Sequence, residues 1–303
     1  MSIPKLCILL AYHHGESFIK AQLGSIKFSS PLHCHILVSV DACEVPPLAP
    51  PPGCTLGIKV LDAPSSGPAG NFYALLADAA ESDYYAFCDQ DDLWLPHKLD
   101  RACDALGKIP ASQPALYCSS TLLIDENDRV IGRSRPMPHP ARFANALVQC
   151  IAGGNTMVFN AAARDAFLVA GPEMPPATHD WRMYLTTCAC GGTVIYDPEP
   201  SVLYRQHGAN VMGENRSMRA RWRRLRVLLN GQFARWISSH LLALDRIADR
   251  MPTETAAQVS QFRAIRRETN PMLRVVLLWR LGIYRQSALD QTALYAAALF
   301  NKL

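Results

Sequence analysis

The segment Phe87-Cys88-Asp89-Gln90-Asp91-Asp92-Leu93-Trp94 sets three carboxylates directly after an apolar run, Tyr84 to Cys88, and just before a helix expected to begin near Pro96. Carboxylates this close repel one another unless a cation or hydrogen-bond donors hold them, and an all-oxygen donor set suits Mg²⁺ or Mn²⁺. Acids at the carboxyl end of a strand stand where open α/β sheets bind their ligands. The plainer alternative is a solvated turn in which one Asp caps the following helix. Four further groups have types and spacing that chemistry can use: Asp41, Gly153-Gly154-Asn155-Thr156, His179-Asp180-Trp181 and Tyr204-Arg205-Gln206-His207. Each has a structural alternative as well. Thr178 suits an N-cap with Asp180 in the first helical turn, and His207 suits either a ligand or a surface position.

The elements that must position these groups follow from apolar patterning. Leu6 to Tyr12 and His35 to Val40 are short apolar runs bounded by polar residues, as strands buried on both faces require. The second ends at Asp41, again an acid at a strand's carboxyl end. Ser17 to Lys27 has Phe18, Ile19, Leu23 and Ile26 at helical spacing. The prolines of Val45 to Gly53 exclude helix and central strand, so that stretch reads as a surface loop. A short strand is expected at Leu56 to Leu61. Gly67-Pro68-Ala69-Gly70-Asn71 then opens a helix through about Ala80, a place where backbone N–H groups can meet phosphate.

Pro96 to Leu106 predicts a helix, Ala115 to Ile124 with Val130 to Ile131 a hairpin, and Ala141 to Gln149 another helix. Met157 to Phe159 is a short apolar run, Ala161 to Val169 and Trp181 to Cys188 read as helices, and Thr193 to Tyr196 as a last strand before a polar loop. The pattern predicts an α/β fold with a mixed, mostly parallel central sheet flanked by helices.

A chain of 303 residues that is 49% hydrophobic can fill a large core. Its net charge of +4 is too small to argue for nucleic acid. Ten cysteines lie scattered without zinc-ribbon spacing, the habit of buried thiols in a reducing compartment. The N-terminus has neither the length nor the cleavage site of a signal peptide, and no apolar run is long enough to span a bilayer. A cytoplasmic location is the expectation.

Together the motifs resemble those of family 2 glycosyltransferases of the GT-A fold, over roughly residues 5 to 212. Phe-Cys-Asp-Gln-Asp-Asp-x-Trp with Gly-Gly-Asn-Thr and Tyr-Arg-Gln-His is most similar to bacterial rhamnosyltransferases that use dTDP-L-rhamnose. The resemblance implies roles. Ala11, Tyr12 and Asp41 would line the base and ribose pocket, Asp41 accepting the pyrimidine N3–H, with Asn71 and Gln90 also on the nucleotide sugar. Asp89 would face the ribose or the water shell of a divalent cation, Mg²⁺ or Mn²⁺. Asp91 and His207 would hold that cation. Asp180 matches the catalytic base. Gly153, Gly154, Asn155, His179 and Trp181 would border the donor sugar and acceptor, with the glycines making room. The chain departs from the family pattern in having Asp41-Ala42-Cys43-Glu44 after the second strand and Gly70-Asn71 where many relatives have Arg-Asn.

The implied reaction is an inverting, metal-dependent sugar transfer onto a glycan or lipid-linked glycan acceptor such as a cell-surface polysaccharide or O-antigen precursor. A family 2 transferase using a UDP-sugar and a non-catalytic nucleotide-sugar-binding scaffold are the alternatives. Residues 1–212 form the expected catalytic domain and 213–303 a helical, basic amphipathic extension. There Arg216, Arg219, Arg221, Arg223, Arg224 and Arg226 interleave with Met218, Trp222, Leu225, Val227 and Leu228. Such a stretch suits peripheral contact with the anionic inner face of the cell membrane, or a helical hairpin packed on the catalytic domain with a solvated basic face. Nucleic-acid binding is disfavoured because the cluster is confined to one short segment.

Overall fold

The apolar runs pair with one another. In a computed structural model that describes residues 3–41, 43–63, 67–172, 178–206 and 230–303, the strands Lys5–Tyr12 (β1), His33–Val40 (β2), Ile58–Asp62 (β3) and Tyr84–Asp89 (β4) lie parallel in the order β3-β2-β1-β4. Beyond β4 the sheet becomes mixed. Leu93–Trp94 (β5), Ala115–Ile124 (β6), Val130–Arg133 (β7), Val158–Asn160 (β8) and Thr193–Arg205 (β9) continue it as β4-β8-β6-β9-β5, with β7 hairpinned on β6. This is the mixed, mostly parallel α/β architecture expected.

Strand alternation divides the core in two. Leu6, Ile8 and Leu10 face the helices Ile19–Ser25 (α1) and Lys98–Leu106 (α3). Cys7 and Leu9 face Gly67–Asp78 (α2), Phe143–Ala146 (α4), Ala161–Ala170 (α5) and His179–Ala189 (α6).

Two expectations needed correction. The helix expected over 141–149 is only the four residues of α4, followed by a turn in which Val148 N and Gln149 N both donate to Asn145 O at 3.0 Å; Asn145 Nδ2 donates to Tyr284 O at 2.9 Å. The last strand does not stop at Tyr196 but runs to Arg205. It passes Pro198 and Pro200 where its pairing with β6 shifts register, between Ser119 and Thr121, an irregularity that frees the prolines from donating to the ladder. Tyr204 and Arg205 are therefore strand, not loop.

The C-terminal helices Gln232–Arg246 (α7), Thr253–Arg267 (α8), Pro271–Arg280 (α9) and Ala288–Leu299 (α10) share the α6 core. The last two begin on side-chain caps: Asn270 Oδ1 accepts from Met272 N and Leu273 N ahead of α9, and Ser287 Oγ accepts from Asp290 N in α10. Arg182 of α6 is buried between α7 and the turn after α5, donating to Ser239 Oγ at 3.0 Å and Gly171 O at 3.1 Å. Among the described residues, no helix is long and apolar enough to cross a membrane. The arginine-rich segment 216–226 lies outside the described residues.

Candidate active site

Parallel register sets Ala11 opposite both Ser39 and Asp89, so β1, β2 and β4 finish level and bring Ala11, Asp41 and Asp89 to one edge. Asp41 N donates to Tyr12 O at 3.0 Å, and Asn71 Nδ2, from α2, reaches Asp41 Oδ2 at 3.5 Å. Tyr12 is a correction. One residue beyond Ala11, its side chain must point to the opposite face, where its ring is fully buried with Ile19 and Leu23. It presents its peptide, not its ring, to the pocket edge.

Ser39 was not anticipated. It precedes Asp41 by two and so shares its face of the strand. Ser39 Oγ and Asn71 Oδ1 are buried without a hydrogen-bond partner among the described residues. Buried polar atoms left unpaired are costly, and the polar rim of a bound ligand would satisfy both.

In the acidic turn each residue has a different task. Asp89, half-buried, has its carboxyl pushed up to about 7, chiefly by burial and then by the charges of Asp91 and Asp180, with Lys98 opposing. Gln90 is a second correction: its Oε1 accepts from His13 N and its Nε2 donates to His13 O, both at 2.7 Å. Its amide braces the loop after β1 instead of reaching toward a donor, and a Cβ at Gly15 would overlap it.

Asp92 is no helix cap. It is 1% exposed, accepting from Asn155 Nδ2 at 2.5 Å and Arg205 N at 3.1 Å, and burial holds its carboxyl well above the ordinary range. Lys98 lies fully buried beneath the turn, its Nζ 3.4 Å from the Trp94 ring centroid and donating to Asn155 O. Burial pushes its ammonium down to about 7, against the pull of Cys88, Asp92 and Asp89. Asp92, Lys98 and Asn155 thus bolt the acidic turn to the Gly153–Thr156 turn. Arg205 adds a third tie, Nε donating to Asp91 O at 2.9 Å.

Asp180 lies in the first turn of α6, where the positive helix end favours a carboxylate. Its Oδ1 accepts from Trp181 N at 2.7 Å, beside the Thr178 cap at 3.4 Å. The neighbouring side chains diverge. The His179 ring stacks on Phe72 at 4.1 Å between centroids and meets Phe87 edge-on at 4.8 Å. Burial lowers its pKa to about 4, so it is neutral near pH 7. A Cβ at Gly154 would overlap His179 Nε2, and one at Gly153 would meet Asn155 Oδ1 at 2.7 Å. The room beside both glycines is therefore taken by the protein, not left open for a sugar. Trp181 is a further correction. It is 6% exposed, its Nε1 donates to Ala146 O at 2.7 Å, and its ring packs on Phe233, Trp236 and His240, because one helical residue turns it away from Asp180 into the core.

His207 lies outside the described residues. Among the described residues no group of three or more His, Cys, Asp or Glu is placed to hold a metal ion. Asp89 and Asp91 nonetheless fit a divalent cation as hard oxygen donors. One of them is held toward its protonated form by burial and like charge, a condition a cation relieves.

This strain has a sign. With a raised folded pKa, Asp89 stabilises the fold below the ordinary carboxyl range near about 4, and that contribution is lost as pH rises through about 7. Asp89→Asn is therefore expected to raise Tm at pH 8 but not at pH 4, while abolishing donor turnover. Thermal scans at the two pH values without added metal decide this, and an unchanged Tm at pH 8 contradicts the repulsion.

No family model matches the chain. The dTDP-rhamnosyl transferase RfbG of Shigella flexneri is 28% identical over a match of 253 residues that covers 78% of this chain and 84% of that protein. A crystal structure of S. aureus TarS in complex with UDP-GlcNAc superposes with a TM-score of 0.53 at 12% identity, covering 98% of this chain and 89% of the other. A TarS structure in complex with UDP gives 0.51 at 11% identity, with the same coverage. The structural likeness is one of fold, and the sequence likeness agrees with the resemblance read from the motifs.

Proposed function

We propose, from a chain that is a glycosyltransferase with the GT-A fold, that it transfers L-rhamnose from dTDP-L-rhamnose, with inversion, onto a hydroxyl of a cell-surface polysaccharide or lipopolysaccharide O-antigen precursor. The observation that carries this reading is the gathering of Asp180 with the Asp89–Asp91 turn at the carboxyl edge of the sheet, near enough for the Asp180 charge to act on Asp89. Asp41, Asn71, Ser39 and the Ala11–Tyr12 peptide hold the base and ribose. Asp89 and Asp91, with His207, would hold Mg²⁺ or Mn²⁺. When bound, such a cation would supply positive charge against the negative charge that grows on the departing diphosphate.

Asp180 takes the proton of the acceptor hydroxyl as that oxygen attacks the anomeric carbon from the face opposite the diphosphate. Asn155, Asp92 and Lys98 keep the acceptor-side turn in register with the acidic turn. Neutral His179 fills the space beside Gly154 and fixes the first residue of α6. Residues 1–212 act as the catalytic unit and 213–303 as a helical extension, with peripheral contact to an anionic membrane where lipid-linked acceptors reside.

The name of the 28% identical relative supports the choice of sugar. The test is release of the nucleoside diphosphate from dTDP-L-rhamnose against UDP-sugars, with Mg²⁺, Mn²⁺ or EDTA. Preferred turnover of a UDP-sugar overturns the donor, and full turnover in EDTA overturns the metal requirement.

A further inference from the structure

The helix α9 has an unusual outward face. Met272 and Trp279 are each 67% exposed, and Leu273 and Val276 are 39% and 41% exposed. Met272, Val276 and Trp279 recur at helical spacing, so they share one stripe, and exposed Arg280 extends it by one position. Arg274, on the opposite side, is buried and donates to Ala298 O, which fixes α9 against α10 and leaves the stripe outward. Close to that tie, at the end of α10, Phe300 is 68% exposed. Large apolar side chains exposed together on one element mark an interaction surface more often than chance.

Charge narrows the partner. From Glu268 to Leu303 the chain has Arg280, Arg285, Lys302 and the buried Arg274 against Glu268 and Asp290; the Glu268 carboxylate accepts from Asn270 N at 2.8 Å and that of Asp290 from Ser287 Oγ at 2.7 Å. The stripe itself has no acid. A second copy of the same face would set Arg280 near Arg280, whereas an anionic lipid surface offers apolar depth for Met272 and Val276, an interfacial site for Trp279 and phosphates for Arg280.

We propose that the α9 stripe is the surface by which this chain docks on an anionic lipid bilayer. This deepens the membrane part of the reading above and is independent of the donor. The loop that joins α9 to α10 is also tied to the segment leading into Gly153. Gln286 N donates to Gln149 Oε1 at 2.8 Å, and His139 N donates to Gln286 Oε1 at 2.9 Å. Docking through α9 therefore brings the segment before the acceptor-side turn along with it.

The test is flotation of the full chain with phosphatidylglycerol–phosphatidylcholine vesicles and with phosphatidylcholine alone, for wild type, Met272→Ser/Trp279→Ser and Arg280→Glu. Wild type is expected to float with the anionic vesicles only. Each variant is expected to lose about tenfold or more in partitioning, with unchanged Tm and unchanged dTDP release from dTDP-L-rhamnose. Equal flotation of the double variant and wild type overturns the assignment, since binding would then reside elsewhere in the chain. Absence of flotation by wild type overturns it too, as does a wild-type dimer that the double variant dissociates without lipid binding. Failure of dTDP release with flotation as expected would strike the donor reading alone.

Discussion

Asp180→Asn is expected to lower transfer by about 10²–10⁴-fold, the range a general base contributes, while donor affinity changes little. The substitution is isosteric. Asn keeps an oxygen for Trp181 N, which Asp180 Oδ1 now binds at 2.7 Å, so the start of α6 is preserved. What is lost is the capacity to take a proton. Removing this charge also removes one of the two like charges that raise the Asp89 carboxyl, so binding of the metal and diphosphate is not expected to suffer through electrostatics. Single-turnover transfer from dTDP-L-rhamnose, with dTDP affinity measured in parallel, separates the two quantities. Retained transfer places the base on another residue. Equal losses in transfer and in dTDP affinity would make Asp180 a structural acid.

Lys98→Met should have the largest effect on stability, about 3–5 kcal/mol, the usual consequence of removing one partner from a buried charged network. Met fills the volume but leaves Asn155 O without its donor and Asp92 without its cation. The loss should widen as pH rises above about 7. In wild type Lys98 sheds its proton in that range, earlier than the unfolded chain does, which favours folding as pH rises. The variant has no titrating group at this position and so does not share that gain, while Asp92 keeps only its bonds from Asn155 Nδ2 and Arg205 N. Urea unfolding at pH 6 and pH 9 tests this, with Asp92→Asn/Lys98→Met expected to be less destabilised than the sum of the single variants. Additive losses would mean that the two residues act independently.

The sheet was legible in the chain because strands buried on both faces leave continuous apolar runs, as at Leu6 to Tyr12 and Tyr84 to Cys88. The acids at Asp41, Asp89 and Asp91 were legible because each lies at or just beyond the end of such a run. Asp180 stood out beside its capping Thr178. Local pattern failed where a residue's task is set across long separations. Gln90 looked like a donor contact until its amide met the His13 peptide, 77 positions away. Trp181 looked like a pocket wall, but the rotation of one helical residue sends it into the α7 core.

The last strand was expected only over Thr193 to Tyr196, and the register shift against β6 is what lets β9 pass Pro198 and Pro200 to Arg205. Lys98 gave no signal, since an amphipathic helix with a lysine normally solvates it. Its burial depends on Asp92 and Trp94 of the acidic turn and Asn155 of a second turn converging on it. The sequence by itself thus determined the fold class and the acids of the candidate site, because hydrophobic period and strand ends are local. The tertiary structure decided which side chains face the ligand edge and which brace it, because facing and bracing are fixed by register, helical phase and buried charge compensation.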